Sequence, residues 1–166
     1  MLVNLFAVLM IIVTLPVLAE PVAPWVTVDS FPPEYREGLR GFQTHYCVPD
    51  AAEVHRPVFP GAMIVGLDWP KKIPDCDTSV DPDQLYAIVL LSKGSFEEID
   101  EWYSAHLPEF TRFELEDQII FVKGQRSSFD WNRDYGTVPS VLVKRAGSVW
   151  RAGGYHTAIE FFHPAL

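Results

Sequence analysis

One segment settles most of what this chain can fold into. Ser95 to Pro108 reads as a helix marked at both ends. Ser95 stands at the N-cap, and Glu98 three residues on forms a capping box with it. Phe96, Ile99, Trp102, Tyr103 and Leu107 recur at helical spacing, which gives one apolar face. Glu97, Glu98 and Asp100 load the first turns, where the positive end of the helix dipole favours them. Pro108 stops the run. Around this helix the apolar patterning reads as strand. Ala62 to Leu67 is a short buried run with Gly66 at a bulge position. Leu85 to Leu91 is β-branched, aromatic and apolar on both faces, as a central strand is. Phe113–Leu115 and Gln118–Val122 flank Glu116-Asp117 as a tight hairpin. Ser140–Val143 and Tyr155–Phe162 complete the set. In the last strand Tyr155, Thr157, Ile159 and Phe161 fall on one face, and His156, Ala158, Glu160 and Phe162 on the other. Runs of strands around one long helix predict an α+β fold: an antiparallel sheet of five to six strands with the helix packed on one face.

The chain before this region divides into a leader and a lead-in. Met1 to Ala19 is almost continuously apolar and contains no charged side chain. It ends at Val17-Leu18-Ala19 after Pro16, which is the pattern of a secretory signal peptide cleaved behind Ala19, although no Lys or Arg stands at its front. An uncleaved anchor is the competing reading, but the run is marginally short for a span and holds Asn4 and Pro16. Residues 20–166 are then one exported domain, periplasmic or secreted, with no stable membrane span after cleavage. Pro21, Pro24, Pro32 and Pro33 make residues 20–34 an extended segment. A short helix is expected from Pro32-Pro33 through Leu39, since Pro is tolerated in a first turn. From Gly41 to Pro60 the chain reads as irregular.

Cys47 and Cys76 are the two cysteines. In an oxidising compartment such a pair is expected to form a disulfide. It would close a loop of about 30 residues and contribute roughly 3–4 kcal/mol. A metal site is the alternative, with His45 and His55 near Cys47, but Cys76 has no His beside it and zinc sites show closely spaced ligand pairs.

The unit Val58-Phe59-Pro60-Gly61-Ala62, the strand after it, and Ser95-Phe96-Glu97-Glu98-Ile99-Asp100-Glu101-Trp102-Tyr103 with Leu107 resemble small exported bacterial domains of unknown function. The resemblance covers roughly residues 57–124. It implies an exported α+β domain and no activity.

The formal net charge is −9, from 13 basic and 22 acidic residues. That balance excludes a nucleic-acid binder, which needs a basic patch to displace counterions. Lys71-Lys72 and Lys144-Arg145 are the only adjacent basic pairs. An acidic surface suits basic partners. The segment Gly124 to Gly136 is the candidate site: Phe129, Trp131, Arg133 and Tyr135 alternate with Asp130, Asn132 and Asp134. Trp, Tyr and Arg are the residues that dominate binding hot spots. The competing readings are that the aromatics fold back over the sheet, or that Asp130, Asn132 and Asp134 begin a calcium loop. Tyr135 and Val141 stand where a calcium loop wants Gly and Glu. His45, His55, His106, His156 and His163 are scattered, and Glu97-Glu98 reads as helix-start charge. No catalytic motif is present, and no cofactor or metal is expected. The reading is an exported, non-enzymatic binding or accessory domain that contacts a protein or cell-envelope component, a basic one suiting its charge, through Phe129, Asp130, Trp131, Arg133, Asp134 and Tyr135. The alternative is a small periplasmic hydrolase or metal-dependent enzyme.

Overall fold

The computed structural model describes residues 21–45, 48–49, 54, 56–68 and 85–164. The leader, Cys47, Cys76, His55 and the acidic loop around Asp77 and Asp81 lie outside the described residues. The expected α+β class holds. Six strands, β1 (Met63–Asp68), β2 (Leu85–Ser92), β3 (Phe110–Leu115), β4 (Gln118–Lys123), β5 (Ser140–Arg145) and β6 (Thr157–Pro164), form one sheet. Every pairing is antiparallel, in the order β1-β2-β6-β5-β4-β3. Among the described residues run the helices α1 (Pro33–His45), α2 (Phe96–His106), α3 (Trp131–Asp134) and α4 (Ser148–Ala152), with a 3-10 turn at Val28–Ser30. Among the described residues no helix is long and apolar enough to cross a membrane.

The order follows from α2. This helix carries the chain from β2 to the far edge, and β3, β4, β5 and β6 then meander back until β6 pairs with β2. Eleven helical residues rise about 16 Å, close to the ~19 Å spanned by four strand spacings. The Ser95 hydroxyl accepts the Glu98 N–H at 3.1 Å, as the capping pattern predicts. Ile99, Tyr103 and Leu107 pack on Ile88, Leu90, Phe121, Val141, Val143, Ile159 and Phe161, the first face of the sheet. Tyr103 is wholly buried and its hydroxyl accepts the Phe59 N–H at 3.4 Å, while Phe59 meets Trp102 edge-on at 5.6 Å. The Phe59-Pro60-Gly61 turn and the aromatic pair of α2 thus touch in space. The register of β1 shifts between Ile64 and Gly66. This bulge turns both Ile64 and Leu67 to the α2 side, which strict alternation would not allow.

One long helix on one face was the expectation, and the second face is covered as well. Over β1, β2 and β6, α1 and the 3-10 turn place Leu39, Val26, Val28 and Phe31 on Val65, Leu91 and Ala158. Tyr155 precedes β6 instead of sharing a face with Ile159. It stacks on Phe31 at 5.5 Å, and Trp150 of α4 meets the same ring edge-on at 5.8 Å. α1 runs on to His45, beyond the short helix expected. Gly38 and Gly41 weaken its intrinsic propensity, and tertiary contacts offset that: Leu39 is buried and the Gln43 amide donates to the Val26 carbonyl at 2.9 Å.

Two glycines separate space from propensity. A Cβ at Gly153 would lie 2.6 Å from Cε1 of the packed Phe31 ring, and one at Gly38 meets nothing within 4 Å. Gly153→Ala is expected to destabilise by about 1–3 kcal/mol, and Gly38→Ala to stabilise by about 0.5–1 kcal/mol. Urea unfolding of the two variants checks both signs.

Candidate binding face

The aromatic segment leaves β4 at Lys123 and returns to β5 at Ser140 across the second face of the sheet. Asp130 caps α3: its Oδ1 accepts the Asn132 N–H at 3.0 Å. Asp134 turns inward and is only 5% exposed. Its carboxylate accepts from Arg133 Nε at 2.8 Å, from Arg133 Nη2 at 3.1 Å and from the Asp130 N–H at 3.0 Å, with Arg126 at 4.0 Å. The Arg133 bonds first, then the backbone N–H, hold its pKa down at about 2. Asp130 Oδ1 and both oxygens of Asp134 are therefore engaged by the segment's own backbone and by arginine.

The rings form a continuous row over the sheet. Phe113 to Phe129 is 6.0 Å, Phe129 to Trp131 is 6.0 Å, Trp131 stacks on Tyr135 at 4.3 Å, and Tyr135 meets Phe162 at 4.9 Å. Phe129 and Tyr135 are half-buried over Ile120, Val122 and Leu142. Burial thus divides the six candidates into two groups. Phe129, Tyr135 and Asp134 build the cover, while Trp131, Asp130 and Arg133 point to solvent. The cover is fastened at Glu160 in the middle of β6, opposite Val89 and Leu142. The Tyr135 hydroxyl donates to Glu160 Oε2 at 2.9 Å, and Lys144 pairs with Oε1. Burial, then the adjacent carboxylate, pushes the Tyr135 hydroxyl above its ordinary pKa.

A cavity that the sequence reading did not include lies on the same face. Leu39, Val65, Val89 and Trp150, with Tyr35, Gly38, Gly66 and Phe42, line an apolar space of about 360 Å³ beside α1. The signal was present: Tyr35, Leu39 and Phe42 stand at i, i+4 and i+7, interrupted by Gly38 and Gly41. Tyr35, Phe42 and Trp131, at 41%, 44% and 37% exposure, are the exposed large apolar side chains among the described residues. All three belong to the covers of this second face.

The other polar candidates lie elsewhere. His106 Nδ1 bonds the Trp102 carbonyl at 2.7 Å and its ring stacks on Trp102 at 4.1 Å. Glu97 pairs with Arg145 at 2.7 Å. Among the described residues no three His, Cys, Asp or Glu side chains converge as a metal set would. No family model, curated protein or solved structure matches this chain.

Two outcomes follow for this face. The Asp134 pKa is lowered on folding, so its contribution to stability is present above about pH 4. It is lost as pH falls toward about 2. Near-ultraviolet circular dichroism of the Trp131–Tyr135 stack should fade across that window, and Asp134→Asn should weaken the signal already at pH 7. Tyr135→Phe leaves buried Glu160 one donor short and should cost about 1–2 kcal/mol in denaturant unfolding.

Proposed function

We propose that this chain is an exported accessory domain that binds a protein or cell-envelope partner through the second face of its sheet and carries out no reaction of its own. The observation that supports this most is that the exposed large apolar side chains among the described residues share one face, Tyr35 and Phe42 lining an apolar cavity and Trp131 standing on the neighbouring aromatic row. Exposed aromatic groups ringed by polar residues are what interface hot spots are made of. The opposite face is closed by α2, whose outer surface carries Glu97, Glu98 and Glu101. The net charge of −9 favours a basic partner, with the acidic surface steering encounter and the aromatics holding the complex. A hydrolase or metal-dependent enzyme would need free carboxylates or histidines meeting in a concavity. On this face Asp134 and Glu160 are both committed to internal partners, which supports binding over catalysis.

Affinity capture from the exported fraction of the host, with the purified domain as bait, tests the reading. Trp131→Ala and Tyr35→Ala should each weaken recovery of the partner by about 30-fold, the scale of a hot-spot truncation. Glu101→Gln, on the outer surface of α2, should leave recovery unchanged. Loss of the partner with Glu101→Gln alone, or turnover by the domain that survives Trp131→Ala, would overturn it.

A further inference from the structure

On the α2 side of the sheet, away from the aromatic face, a small cavity of about 190 Å³ opens beside the start of β3. Arg56, Pro57, His106, Glu109 and Phe110 are among the residues that line it. Arg56 enters from the segment before β1 and reaches the end of the sheet. Its Nη1 donates to the Phe162 carbonyl at 2.6 Å and to the Ser140 carbonyl at 3.1 Å. These two residues are register partners across β5 and β6. The guanidinium carbon lies 5.4 Å above the Phe110 ring. Those contacts orient the fork. Both acceptors are neutral carbonyls, and among the described residues no carboxylate pairs with Arg56. A guanidinium carries five N–H donors, and among the described residues Nε and Nη2 have no acceptor. Burial draws the Arg56 pKa down to about 10, the direction expected of a cation partly withdrawn from water.

Arg56 is half-buried, and a guanidinium fork held in place beside a cavity is shaped for an oxyanion. The second ring on this cavity is fixed too. His106 donates from Nδ1 to the Trp102 carbonyl, so Nε2 is its remaining polar atom. Glu109 on the same lining sets a charge limit, because a second negative charge on the ligand would be repelled. We infer that Arg56 anchors a carboxylate-binding site: the cavity takes one monoanionic carboxylate, free or as the charged end of a larger molecule, in preference to a phosphate dianion. This site is independent of the aromatic face and of the function proposed for it.

Nuclear magnetic resonance of the leader-free domain tests it, following the Arg56 Nε–H signal at pH 7. Acetate and N-acetylglycine should shift that signal saturably, and N-acetylglycinamide, which lacks the carboxylate, should not. A tighter response to N-acetylglycine than to acetate assigns the natural ligand to a chain terminus; the reverse assigns it to a free anion. Arg56→Lys should weaken binding by about tenfold, since it keeps the charge and loses the fork. Arg56 also ties β5 to β6, so a variant that leaves the fold alone is needed. Glu109→Gln, at an exposed position, should tighten acetate by about threefold and admit inorganic phosphate. The inference is overturned if no carboxylate gives a saturable shift, if the amide acts as well as the acid, or if Glu109→Gln leaves acetate affinity unchanged.

Discussion

A sheet whose middle strands are apolar on both sides needs two covers, and α2 can lie on only one of its faces. Val141, Leu142 and Val143 are buried one after another, as are Ile119, Ile120, Phe121 and Val122. Period-2 geometry sends alternate members of each run to opposite faces. α2 closes the first face together with Ala23, Val54 and Phe59, which join the same apolar cluster. The second face has to be closed by what remains: α1 with the 3-10 turn and α4 at one end, and the 125–139 segment at the other. The two ends form separate apolar clusters, one around Phe31 and Tyr155 and one around Ile120, Val122 and Leu142. Aromatic rings do most of the covering, because a short segment can exclude water from a broad area only with large side chains.

The seam between the two covers explains the polar chemistry of this face. Glu160 sits mid-strand with apolar neighbours on β2 and β5, where a carboxylate alone would be costly. Tyr135 and Lys144 each take one of its oxygens. The bond from Tyr135 ties the aromatic cover to β6, and the Asp134–Arg133 pair ties the same cover to itself. Charge on this face is thus used to hold loops in place. The exposed apolar groups of this face lie on both sides of the seam: Trp131 at one, Tyr35 and the cavity by α1 at the other.

The parts of the fold legible in the sequence were those with strong local signals. The capped, Pro-terminated α2, the Glu116-Asp117 hairpin, the bulge at Gly66 and the apolar run of β2 all carry their structure in their own residues. α1 was read too short because Gly38 and Gly41 hide a helix that Leu39 and Gln43 hold by contacts far along the chain. α4 has five residues, too few to show a period. Tyr155 was assigned to the strand although it belongs to the turn before it, where Phe31 offers a ring to stack on. The aromatic segment announced itself by composition. Which rings turn inward was set by Ile120, Leu142 and Glu160, which the local pattern of residues 124–136 does not contain. The apolar cavity was illegible for the same reason, since its walls come from residues 35–42, 65, 89 and 150. Arg56 was unremarked because its meaning lies in carbonyls of Ser140 and Phe162.

The sheet with α2 is the stable body, and two separate covers close its second face. Native-state hydrogen exchange at rising denaturant tests this most directly, because local units open below the free energy of global unfolding. Amides of residues 88–91, 141–143 and 158–161 should exchange only with global unfolding. Those of residues 131–137 and of α1 should open earlier, in two events with different free energies, and Tyr135→Phe should lower the first and leave the second unchanged. Exchange of both covers together with the sheet in one event would contradict the account.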